Sequence, residues 1–156
     1  MTVGTKENIM KTANPFRQLF AGLTLTAMTL AAPAFAAETV NVELLGERGG
    51  AMEITLSQDS IVAGEVTFKV SNMATDTPHE MIVVKLDASG QQFVVDPASE
   101  KVDEAAVNAL GEVSGLKATE TGELTLTLEP GDYALICNLK GHVTAGMVVP
   151  FTVTAG

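Results

Sequence analysis

The sequence predicts an all-β chain, a Greek-key β-sandwich with one short inserted helix. Beyond residue 36, apolar and polar residues alternate in short runs of six to eight residues. Turn-forming pairs such as Gly49-Gly50, Ala63-Gly64 and Pro130-Gly131 separate these runs. Only one stretch carries helix start and stop signals. Many short strands punctuated in this way are the pattern of a sandwich.

The first strand is expected over residues 39–45, where Val40, Val42 and Leu44 alternate with polar partners. Strands at 51–56 and 65–70 repeat the two-residue period between glycine-bearing turns. The strand at 80–86 differs, because Met81 and Val83 fall on one side while Ile82, Val84 and Leu86 fall on the other. A strand that is apolar on both faces is buried on both.

Residues 96–111 then read as the inserted helix: Asp96 suits an N-cap, Pro97 the first helical position and Gly111 the position past the end. Val102, Ala105, Ala106, Ala109 and Leu110 would give it a weakly apolar face, fit to cover the outer side of strand 80–86. Strands at 123–128, 132–137 and 147–154 complete the set.

Residues 1–36 read as a secretory signal peptide, with Lys6, Lys11 and Arg17 ahead of an apolar run from Leu19 to Ala32. Ala34-Phe35-Ala36 supplies a small-x-small cleavage site. That apolar run falls short of the ~20 residues a membrane helix needs, so no stable membrane insertion is expected. Cleavage near Ala36 would leave one domain, 37–156, in the periplasm or otherwise exported. With three cations and one acid in the leader, the remainder holds 6 basic and 18 acidic residues, a net charge of −12. Such a surface repels nucleic acid and favours a basic partner. A single cysteine, Cys137, cannot close an internal disulfide, so in an oxidising compartment it is free, intermolecular or metal-bound.

The chemistry concentrates in one run, Cys137-Asn-Leu-Lys-Gly-His142-Val-Thr-Ala-Gly-Met147, directly after a strand. The only other histidine, His79, directly precedes the doubly apolar strand. Taken singly, Cys137 could be a small buried apolar residue, either histidine structural and Met147 core filling. Taken together, the chain commits its only cysteine and both histidines to one donor pattern. One thiolate, two imidazoles and a thioether form the ligand set of a type 1 copper site. Alternation puts His79 on the face of Met81 and Val83, and Cys137 on that of Tyr133 and Leu135, so the two meet if both faces point inward. Gly141 and Gly146 stand where tight turns are needed.

At these residues the chain resembles the cupredoxins. Four residues separate Cys137 from His142 and four separate His142 from Met147, similar to the longer loops of rusticyanin- and sulfocyanin-like members. The resemblance implies one type 1 copper per chain, with His79, Cys137 and His142 as strong ligands and Met147 as the weak axial one. It implies no catalysis but single-electron transfer, to redox proteins such as a basic c-type cytochrome or a terminal oxidase, by a monomer. The edge of His142, among Leu139, Val143 and Ala145, would be the docking face. Where many cupredoxins carry an Asn after the first His that helps tie the two ligand loops, this chain has Glu80. Either Asn138 takes over part of that role or the loops are tied differently, and Glu80 is expected to turn to solvent.

Two other functions were open to the sequence. Met73 and Met81 beside His79 would suit copper(I) delivery or storage by a periplasmic chaperone. A copper oxidase would need more histidines than the two present.

Overall fold

The computed structural model describes residues 37–156; the expected leader lies outside them. Two sheets face each other. The first contains β1 (Glu38–Leu45), β2 (Glu53–Leu56), β4 (Gly64–Asn72) and β9 (Thr121–Leu128), in the order β2-β1-β4-β9. The second contains β3 (Ser60–Val62), β5 (His79–Lys85), β8 (Asn108–Leu116), β10 (Gly131–Ile136) and β11 (Val148–Thr154), in the order β3-β11-β10-β5-β8. Most neighbours run antiparallel, but β1 pairs with β4 and β11 with β3 in parallel. Parallel neighbours cannot be joined by a tight hairpin, so a longer crossing connection separates the strands of each of these pairs.

Alternation decides what fills the space between the sheets. Val40, Val42 and Leu44 of β1 and Val66, Phe68 and Val70 of β4 point inward and are all buried. They meet Met81, Val83, Tyr133, Leu135, Phe151 and Val153 from the opposite sheet in one core. Phe68 and Phe151 lock the middle edge to face, their centroids 5.5 Å apart. Tyr133 is buried as well, and its hydroxyl donates to the Glu129 carbonyl at 2.7 Å, so its polar end is satisfied.

The doubly apolar reading of β5 holds. Its second face, Ile82 and Val84, forms a separate small core with Ala134 and Ile136, covered by Leu86, Phe93 and Val107. The cover is not the expected helix. Asp96 does act as a cap, accepting from the Ala98 and Ser99 amides, but the turn it starts ends at Glu100, whose φ of 55° is left-handed. The chain reverses there into a two-stranded ribbon, β6 (Val95–Asp96) with β7 (Lys101–Val102), and only a 3-10 turn follows at Glu104–Ala106.

Residues 108–116 pair with β5 instead of continuing a helix. The bare edge of β5 offers a row of backbone donors and acceptors, and the weak helical face of Ala105, Ala106 and Ala109 offers little burial to compete with them. Gly111 is therefore no helix terminus. It lies mid-strand, where a Cβ would sit 3.2 Å from a Leu124 methyl of the facing sheet. The three-residue edge strand β3 carries too few residues to show a period. Among the described residues no helix is long and apolar enough to cross a membrane.

Phe68→Ala removes a fully buried ring that packs on Phe151 across the sheets and should lower unfolding free energy by about 3–5 kcal/mol. Denaturant unfolding of the metal-free chain measures it, and a loss below ~1 kcal/mol would contradict this packing.

Candidate metal centre

Strand ends and their loops converge at one end of the sandwich. His79 opens β5, Cys137 follows the last residue of β10, and Met147 precedes β11. The register Leu135↔Val83 and Ile136↔Ile82 brings Cys137 alongside the start of β5. The Glu80 N–H then donates to Cys137 Sγ at 3.4 Å. His79 and Cys137 share the inner face, as their alternation requires, and both are fully buried.

The loop between Cys137 and Met147 closes on itself. His142 N–H donates to the Leu139 carbonyl at 2.9 Å and Met147 N–H to that of His142 at 3.0 Å; Cys137 N–H bonds the Met147 carbonyl at 3.1 Å. Gly146 makes the return possible. Its φ is +116°, and a Cβ there would stand 2.5 Å from the Met52 carbonyl oxygen.

Three donor atoms result. His79 Nδ1 and His142 Nδ1 lie 3.2 Å apart, and Cys137 Sγ lies 3.3 Å from His142 Nδ1 and 3.9 Å from His79 Nδ1. One first-row ion held in a plane at the usual ~2.0–2.3 Å by imidazole and thiolate sets its donors about 3.5–3.8 Å apart. The triangle fits that ion within a few tenths of an ångström. A hard oxygen-seeking ion would find no carboxylate in it. Met147 is fully buried in the core cluster that contains Cys137. His79, Cys137 and His142 thus bring their donor atoms to one point, with Met147 buried in the adjoining core, in a set suited to copper.

Sequence could not say which imidazole nitrogen faces the ion. The structure does: His79 Nε2 donates to the Gly46 carbonyl at 3.0 Å, leaving Nδ1 as the lone-pair atom. The turn that supplies this carbonyl is itself anchored. Glu47 accepts from the Thr75 amide and from the hydroxyls of Thr75 and Thr77, which hold its carboxyl down at about 2. Nothing in the sequence pattern marked Glu47, because its partners are almost thirty residues away.

Glu80 does not turn to solvent. It is 9% exposed, on the outer face of β5, and burial raises its pKa against the pull of Lys101. The tie to the cysteine loop runs through its backbone instead. Asn72 steadies the first histidine loop, donating to the carbonyls of Thr77 (2.9 Å) and Leu116 (3.1 Å). Met81 is fully buried, so it cannot line an entry path for copper; only Met73 of that pair is exposed.

Burial also sets the proton inventory. It pushes the Cys137 thiol up to about 11, although N–H groups of Leu139 and Glu80 favour the thiolate. At neutral pH metal uptake must therefore displace a proton from sulfur. Burial, then the neighbouring His79 and Arg48, pushes His142 down to about 4, so it stands neutral and ready to ligate. It is the more accessible imidazole, 8% exposed against 0% for His79. It opens onto a concavity of about 650 Å³ lined by Arg48, Met52, Pro78, Leu139, Lys140 and Ala145 among others.

No family model matches the chain, and no curated protein matches it in sequence. Solved structures do. Auracyanin B is 26% identical, over 80% of this chain and 93% of that one, with a TM-score of 0.52. Auracyanin A, described as a "blue" copper protein from Chloroflexus aurantiacus, is 21% identical over 76% of this chain and 100% of that one, TM-score 0.53. Rusticyanin from Thiobacillus ferrooxidans is 15% identical over 76% and 77%, TM-score 0.56. At such identities the likeness establishes a common fold.

The lowered His142 value has a sign. The unfolded chain takes up this proton near the ordinary 6.5 and the folded one near 4. This contribution to metal-free stability is present above 6.5 and is lost as pH falls toward 4. Thermal melts of the metal-free protein should drop across that window, and His142→Gln should flatten the slope.

Proposed function

We propose that this chain, which has the cupredoxin fold, is a type 1 copper protein that carries single electrons and performs no catalysis of its own. The observation that carries the reading is the buried triangle of two Nδ1 atoms and one Sγ, each donor separation 3.9 Å or less. A copper ion held there supplies a one-electron couple between its +1 and +2 states, which soft sulfur and borderline imidazole ligands serve alike.

The protein's part is to hold and to insulate. His79, fixed by the Gly46 carbonyl, and Cys137, set by the strand ladder and the Glu80 N–H, cannot swing away when the metal charge changes. His142 would complete the set of strong donors, and Met147, fully buried in the same core, would be a weaker fourth. Little movement of the donors on a change of charge means a small reorganisation penalty, which a carrier needs. The His142 edge is the place for electrons to enter and leave. A partner seated over the concavity beside it would bring its own redox group close to the Cys137–His142 pair.

The −12 charge of residues 37–156 and the leader-like first 36 residues support an exported monomer that meets a basic redox protein, such as a c-type cytochrome, or a terminal oxidase. A small, transient interface suits such an exchange. Copper(I) delivery has less support, since Met81 is sealed in the core and the donors are buried.

Titration of the 37–156 domain with Cu(II) should give intense visible absorption that saturates at one copper per chain, with a narrow copper hyperfine splitting. Cys137→Ser should abolish the colour, whereas Met147→Leu should keep it and raise the reduction potential. A colourless product, or one that binds only Cu(I), would overturn the carrier reading.

A further inference from the structure

Residues 87–107, inserted between β5 and β8, have a side that no part of the metal-centre chemistry requires. One side covers the outer core through Phe93 and Val107. The other reaches the cysteine loop. Asn138, 1% exposed, accepts the Val102 N–H at 2.7 Å and returns a bond to the Val102 carbonyl at 2.9 Å. Its amide also donates to Glu104 Oε1 at 2.7 Å. Three residues further along the loop, Gly141 N–H donates to the Glu100 carbonyl at 3.0 Å, and Lys140 lies 3.7 Å from the Glu100 carboxylate.

The pattern is specific. A paired donor and acceptor on one backbone unit sets both the place and the tilt of the Asn138 side chain, and so of the residue next to Cys137. Glu100 keeps a left-handed backbone, costly for a residue with a Cβ, while its carbonyl meets the Gly141 amide. The exposed Lys140–Glu100 pair adds little. The buried amide contacts are the strong part.

We propose that residues 87–107 act as a clasp that holds loop 137–147 in its ligating arrangement before any metal binds, with Asn138 as the positioning residue through which it acts. The inference rests on the reading that Cys137, His142 and Met147 are ligands. A loop ordered in advance pays its conformational cost during folding and leaves metal binding free of it. The clasp also accounts for the turn and ribbon where a helix was expected: a straight helix over 96–111 would not place Glu100, Val102 and Glu104 at these three points.

Hydrogen exchange on the metal-free protein tests it without any copper. Amides of Gly141, His142, Ala145 and Met147 should be protected in the wild type and exchange about 10-fold faster or more in Asn138→Ala. Amides of the β1–β4 ladder should keep their rates. Glu104→Ala, a change at an exposed side chain that spares the fold, should give a smaller increase in the same amides. It decides the matter if Asn138→Ala does not fold.

Loop amides that are unprotected in the wild type, or unchanged in both variants, would overturn the proposal. So would a rise spread evenly over the chain. A second arm follows copper release to a chelator, expected to be about 10-fold faster in Asn138→Ala. If the wild type takes up no copper, the functional reading fails while the exchange result still decides the clasp.

Discussion

Two imidazole nitrogens and one sulfur held within 4 Å of each other, out of water, are the constraint on which the structure depends. Left alone, such a group would spread apart or hydrate, because taking polar atoms out of water is costly and the thiol's contact with His142 Nδ1 at 3.3 Å offsets only part of that cost. Each is pinned from behind: His79 by the Gly46 carbonyl, Cys137 by amides on either side, His142 by the turn of its own loop. The protonation states agree with this. The thiol keeps its proton and His142 stays neutral until a cation arrives.

The sandwich provides the rigidity that pinning requires. Cys137 and His79 each sit at the end of a strand whose ladder fixes its height and face, and a slip of one residue would turn either away. The close packing of Phe68, Phe151, Tyr133 and Leu135 below them leaves little room for such a slip. The loops are then tied to each other rather than to the sheets alone. Loop 46–52 touches both ligand segments, since Gly46 holds His79 and the Met52 amide bonds the Ala145 carbonyl at 3.0 Å. Residues 87–107 brace the cysteine loop from the other side. Only His142 is left with an edge toward solvent, so the centre has one side on which a partner can approach it.

Charge and fold divide the remaining work. An acidic surface acts over several ångströms and does nothing to hold the donors. Near the centre the acidic side chains serve geometry instead. Glu47 binds the threonines that lead into His79, and Glu80, buried beneath the inserted segment, is balanced in part by Lys101.

Sequence alone determined the sandwich, the double-faced β5 and the grouping of His79, Cys137 and His142. Each of these is written in a local period or a short spacing: alternation places His79 with Met81 and Val83, and four-residue steps separate Cys137, His142 and Met147. Tertiary structure decided the rest. Residues 96–111 carry a helix's caps yet form a ribbon and an edge strand, because the open edge of β5 supplies backbone partners that no local pattern reveals. Glu80 is buried because that same segment folds over it. Which nitrogen of His79 keeps its lone pair is settled by a carbonyl thirty-three residues away. Local patterns record which way a side chain faces along its own strand. What it meets there depends on hydrogen bonds and burial contributed by distant parts of the chain.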